Sequence, residues 1–258
     1  MRECVSFHIG GCGSQIGSAC WDLLRTEHQI SNTGSLLANN NLINHFPFFE
    51  EVRTKYVPRA LFIDTEPLVL DEIRRNDDGV FFHPDRLINA NEDAANNFAR
   101  GFFRLTRELE NIVENISRRT LETCDNLQGF LVYHSLGGGT GSGYTPNLLK
   151  KLSDDNPKKC ILNMAIYPSS KTSNAIVEPY NTLFGLQHIS ESSDCLILFD
   201  NHSMHKVCHS KLRIRSPHYA DLNNLLAQVM ASMTCSLRSP GTLNVDLAEF
   251  PTNLVPFD

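Results

Sequence analysis

The chain has 258 residues, 41% of them apolar, and a formal net charge of -6. A chain of this size buries a core without disulfides or structural metals. With no basic block beyond Lys150-Lys151 and Lys158-Lys159, the acidic balance argues against a nucleic-acid backbone or an anionic membrane as partner.

Five continuous apolar runs read as strands buried on both faces: Cys4 to Ile9, Ala60 to Ile63, Phe130 to His134, Cys160 to Tyr167 and Cys195 to Phe199. Between them, Ile16, Ala19, Cys20, Leu23 and Leu24, and later Leu105, Leu109, Ile112, Val113 and Ile116, recur at helical spacing. This alternation predicts an α/β fold, a mostly parallel sheet with helices on both faces, whose ligands sit beyond the carboxyl ends of the strands. Residues 31 to 55, polar and with three asparagines in a row, read as a surface loop. From Ser216-Pro217 a helix is expected to run to about Arg238. Leu222, Leu225, Leu226, Val229, Met230, Met233 and Leu237 line one side of it, and the small residues Ala220, Ala227, Ala231 and Thr234 line the other, as in a helix sandwiched between two layers.

The eight cysteines, at 4, 12, 20, 124, 160, 195, 208 and 235, form no CxxC pair, so reduced thiols and a cytoplasmic location are expected. The start, MRECVSFHIG, lacks the marks of a signal peptide, and nowhere do eighteen apolar residues run together.

Two glycine clusters, GGCGSQIG from Gly10 and GGGTGSG from Gly137, each follow a strand-like run and open a helix-like segment. Backbone amides at such turns can cradle phosphate. With no Gly-Lys dipeptide there is no Walker P-loop, and neither cluster matches GxGxxG, which makes a dinucleotide enzyme a poor second reading. Asp64 and Glu66 end a strand beside the expected phosphate site; they read either as carboxylates reaching magnesium through water or as a polar turn before Pro67. His202, His205, Cys208 and His209 have a chelating spacing on a helix, but ordinary packing is the better reading. Asp246 and Glu249, three apart, would share one side of a helical turn.

GGGTGSG, together with MREC, VPRALFIDTEP, NEDAANNFARG, VEPYN and LNVDLAEFPTNLVP, resembles the tubulins, their alpha-type subunits most closely, over essentially the whole chain. The resemblance implies a GTPase domain over residues 1 to 215, a central helix over 216 to 238, and over 239 to 258 a catalytic-loop segment and the start of a second domain that is otherwise absent. It places Gly11, Cys12, Gln15, Asp93, Ala94, Asn96, Ser135, Gly137, Gly138, Gly139, Thr140 and Gly141 around the phosphates of GTP, with Glu66 beside magnesium. Ser173, Asn174 and Glu178 match the sugar-side loop, Asn201 and Asn223 the guanine-reading amides, and Tyr219 the ring that stacks on the base. Glu249 matches the acid that acts in trans on GTP of a neighbouring beta-tubulin-like subunit. The resemblance implies a cytoplasmic, microtubule-associated protein; the alternative is a non-polymerising module that caps or sequesters beta-type subunits. Three departures stand out: Gly11 replaces the family's glutamine, Asn174 replaces a threonine, and Pro251 is expected to distort the turn bearing Glu249.

Overall fold

Seven consecutive buried residues, Glu3–Ile9, form β1 in the interior of a six-stranded sheet. The computed structural model describes residues 2–37, 46–75, 81–169, 171, 173, 175–239, 241 and 244–255. In spatial order the sheet is β5 (Leu87–Asn89), β4 (Ala60–Asp64), β1, β6 (Leu127–Ser135), β7 (Cys160–Tyr167) and β8 (Cys195–Asp200), and each of its pairings is parallel. The expected α/β architecture is the one found, and both faces are covered. Phe62, Leu131 and Met164 pack on one side with Ile16, Cys20 and Trp21 of α1 (Gly10–Glu27) and Leu222, Leu226 and Met230 of α7 (Tyr219–Met233). Phe7, Phe130 and Val132 pack on the other with Leu109 and Val113 of α3 (Thr106–Glu122) and Leu148 and Leu149 of α4 (Gly139–Asp155).

From β1 the chain moves outward to β4 and β5, then returns to the far side of β1 for β6, β7 and β8. The winding therefore reverses between β1 and β6, and there a crevice opens beyond the carboxyl ends of the strands. The remaining helices are α2 (Pro67–Arg75), α5 (Glu178–Ser190), α6 (Asn201–Ser210), α8 (Cys235–Arg238) and α9 (Glu249–Leu254). Among the described residues no helix is long and apolar enough to cross a membrane, and all eight cysteines are free.

Several local expectations are corrected. The stretch read as a surface loop contains half of a hairpin, β2 (Phe49–Val52) paired antiparallel with β3 (Lys55–Pro58), which Arg86 ties down through an ion pair to Glu50. Asn39, Asn40 and Asn41 lie outside the described residues. Helix α7 starts at Tyr219, not Ser216: the His218 N–H donates to the Asp221 carboxylate at 2.9 Å. The helix breaks at Thr234 before α8. Ala227 and Thr234, expected to face a second layer, are buried with Leu226 and Met230, while Ala220, Asn224, Gln228 and Ser232 face outward. Pro251 is the third residue of α9, in a first turn whose N–H groups have no intrahelical acceptor, so it costs the helix nothing.

Helix α1 lies close on the sheet because two of its positions have no side chain. A Cβ on Gly13 would overlap the Tyr133 carbonyl, and one on Gly17 would come within 2.5 Å of the His8 ring. That ring stacks between Phe62 and Tyr133 at 4.6 and 4.7 Å and accepts a hydrogen bond from Trp21 Nε1 at 3.1 Å. Burial holds its pKa down to about 3, so it is neutral. Helix propensity alone makes Gly13→Ala stabilising by about 1 kcal/mol. Overlap with backbone reverses the sign, and urea unfolding of Gly13→Ala is expected to show a loss of roughly 1–3 kcal/mol.

Candidate functional site

The two glycine turns meet at the crevice. A Cβ on Gly10, whose φ is +74°, would sit 3.5 Å from Gly141 N and 3.6 Å from Thr140 Cβ. Helices α1 and α4 therefore begin side by side, one directly after β1 and the other after the turn that follows β6. Neither has a side-chain cap or an acid in its first turn. By contrast, α3, α5, α7 and α9 each carry an acid there, and Asp200 caps α6. Two uncapped helix N-termini meeting at one crevice make a site for an anion.

The glycines divide by role. Gly138 faces open space, with nothing within 4 Å of a Cβ built on it. Gly139, Gly141 and Gly143 instead allow tight packing: a Cβ on Gly139 would lie 2.5 Å from Asn97 N, and the others would overlap the carbonyls of Ser135 and Phe98. Gly139 and Gly143 let α4 press against the 94–98 turn, which brings Asp93, Ala94 and Asn96 to the crevice, and Gly141 lets it approach the end of β6. In that turn Ala95 and Asn96 have φ of +47° and +52°, a strained pair for residues with side chains.

Asn181 of α5, absent from the sequence reading except as part of VEPYN, holds this strain in place. Its Nδ2 donates to the carbonyls of Asn96 (2.8 Å) and Gly137 (2.9 Å), and its Oδ1 accepts from Phe98 N at 3.1 Å. One buried amide thus joins the strained turn to the glycine turn. Thr65 was missed as well. Its hydroxyl lies 2.8 Å from that of Thr140 and 3.5 Å from the Asp93 carboxylate, linking the end of β4 to the start of α4. Each sits in a polar motif, and only the fold shows what it touches.

The other expected residues spread along two grooves. Ser173 and Glu178 line a cavity of about 580 Å³ with Tyr167, Ser169, Ile176 and Thr182. The Glu178 side chain also lies beside Gly137. Gln15, Tyr219 and Asn223 line a second, of about 390 Å³, between α1, α2 and α7. Tyr219 is 60% exposed, so its ring is available for stacking. Asn201 is the first residue of α6, after the carboxyl end of β8, and Cys12 is in the first turn of α1. Asn174 lies outside the described residues.

Carboxylates close one side of the crevice. Asp64 is 2% exposed; its Oδ1 accepts from Thr65 N (2.7 Å) and Glu66 N (3.4 Å), while its Oδ2 has no hydrogen-bond partner among the described residues. A Cβ on Gly11 would be 3.6 Å from that oxygen. Burial raises the Asp64 pKa from 3.8 to about 6; the bonds from Thr65 and Glu66 oppose the shift, and the charges of Glu66 and Asp93 add to it. No three His, Cys, Asp or Glu side chains converge as a metal cage among the described residues. An orphaned buried carboxylate oxygen beside exposed Glu66 fits a magnesium ion that takes most of its ligands from phosphate and water.

Glu249 is far from all of this. Its segment is fastened to Arg2, ahead of β1, and to Cys160, the first residue of β7, so it lies at the amino ends of the strands. The eight residues of β7 alone separate the two ends by roughly 25 Å. Asp246 precedes α9, which starts at Glu249, but the two residues share one hydrogen-bonded turn: the Glu249 N–H donates to the Asp246 carbonyl at 3.1 Å, and the Asp246 N–H donates to Glu249 Oε1 at 3.4 Å.

Residues 3–209 match the Tubulin/FtsZ family, GTPase domain. Along 99% of its length the chain is 48% identical to the tubulin alpha-8 chain of Caenorhabditis elegans, and along 100% it is 45% identical to the tubulin alpha-4 chain of Drosophila melanogaster. It spans 58% and 59% of those relatives.

A raised Asp64 pKa means that the fold favours the protonated acid, so its contribution is complete below pH 3.8 and lost as pH rises through about 6. In nucleotide-free, metal-free protein, Asp64→Asn is expected to be more stable than the parent at pH 7.5 by roughly 1–3 kcal/mol. The difference should vanish near pH 4, as followed by thermal melts.

Proposed function

The chain belongs to the tubulin family, and we propose that it is an alpha-type subunit that holds GTP at the head of its sheet and offers Glu249 to GTP on a neighbouring beta-type subunit. The observation that carries this reading is the pair of uncapped, acid-free helix N-termini meeting at the glycine turns. The amides of residues 11–13 and 138–141, with the Ser135 and Thr140 hydroxyls, would hold the phosphates. Magnesium, when bound, neutralises phosphate charge; Glu66 and Asp64 are the carboxylates that would hold it. Tyr219 offers a face to the base, and Asn201 and Asn223 offer paired donors and acceptors to a guanine edge.

The acid and the cradle occupy opposite ends of the sheet, which supports hydrolysis in trans: Glu249 would orient water at a partner's nucleotide, and the chain's own GTP would stay unhydrolysed because the beta-type subunit offers no such acid. A cytoplasmic, microtubule-associated location goes with this reading. A second reading, a module that caps or sequesters beta-type subunits, is favoured by Gly11, which offers no side-chain donor to Asp64 or to phosphate.

Radiolabelled GTP distinguishes the two. The chain alone, when dilute, should retain GTP without turnover. With a beta-type tubulin subunit, hydrolysis should rise, and Glu249→Ala should cut the increase by roughly 100-fold or more. Retention with no stimulation would favour the capping module. Because a side chain at position 11 meets only ordinary contacts, Gly11→Gln should slow GTP release by roughly two- to tenfold.

A further inference from the structure

Arg2 and Asp246 form an ion pair between the residue ahead of β1 and the loop ahead of α9. The same loop has two other fastenings: Ser236 Oγ donates to the Val245 carbonyl at 3.0 Å, and Cys160 Sγ donates to the Leu247 carbonyl at 3.4 Å. Leu247 is fully buried, whereas α9 has no fully buried residue and reaches the core through half-buried Phe250. The direction in which α9 and its first residue, Glu249, project is thus set by the loop together with the Phe250 contact. An apolar anchor such as Leu247 fixes depth but has no directional preference. The charge pair does have one, and it acts on the residue whose N–H meets the Glu249 carboxylate. It also offsets repulsion between the Asp246 and Glu249 carboxylates.

We propose that the Arg2–Asp246 pair is a positioning device for Glu249, aiming the acid out of the amino end of the sheet towards a partner's nucleotide. The assignment rests on the trans-hydrolysis reading above. It makes Arg2 and Asp246 determinants of the partner's hydrolysis rate, although neither would touch nucleotide.

The test uses the full chain with a beta-type tubulin subunit and GTP. It compares Arg2→Ala, Asp246→Asn, the exchanged pair Arg2→Asp with Asp246→Arg, and Glu249→Ala. Stimulated turnover is measured against chain concentration, with amide exchange of residues 247–252 in parallel. Each single change should lower maximal turnover roughly two- to fivefold, as suits a partly exposed pair, without moving the half-saturating concentration. Exchange of the segment should quicken, and the exchanged pair should restore both readouts. Single variants with parent-like turnover, while Glu249→Ala abolishes stimulation, would overturn the assignment and leave the trans reading standing. So would losses that the exchanged pair does not rescue. Stimulation that survives Glu249→Ala would remove the trans reading and this assignment with it.

Discussion

Two helix N-termini without a side-chain cap or a first-turn acid meet where the sheet reverses its winding, and the rest of the site is arranged around them. Helix N-terminal donors need partners, and α3, α5, α6, α7 and α9 each carry a cap or a first-turn acid. Helices α1 and α4 carry neither. Bringing both to one crevice requires α4 to press on the 94–98 turn and on the end of β6, hence the glycines at 139 and 143 and at 141. It also requires that turn to hold two left-handed residues, hence the bonds from Asn181. A phosphate group would complete what the protein leaves open.

The sheet's polarity gives the domain two unlike ends. At the carboxyl ends of the strands are amide donors, hydroxyls and the orphaned oxygen of Asp64. At the amino ends is Glu249, on a helix with no fully buried residue, held by the loop before it and by half-buried Phe250. On the proposed reading, such a subunit would hold nucleotide at one end and offer an acid at the other, and a second molecule would complete the constellation. This separation is a property of the fold, and Pro251, lying in the first turn of α9, leaves it intact.

The central strands were legible because burial on both faces leaves an unbroken apolar signature, as in Cys160–Tyr167. The hairpin was not, since only Phe49 in its first strand is buried and Glu50 and Glu51 read as loop. Three-residue β5 is too short to carry any pattern. The glycine clusters announced the site, yet most of the second cluster serves helix packing, a distinction that composition cannot make because it depends on which carbonyl lies opposite. Asn181 was silent for a related reason: an asparagine inside a helix is an ordinary residue until the two carbonyls it bridges, 85 and 44 positions earlier, are brought to it. The start of α7 was placed three residues early because Ser-Pro is a common opening, whereas Asp221 caps the His218 amide.

The most direct test of the two-ended domain is single-turnover hydrolysis of GTP loaded on the chain alone, followed over a wide range of protein concentrations. If the acid and the cradle belong to different encounters, the rate per bound GTP should fall towards zero on dilution. A rate that stays constant on dilution and is lost in Glu249→Ala would show the acid acting on its own chain's nucleotide, and would contradict the account.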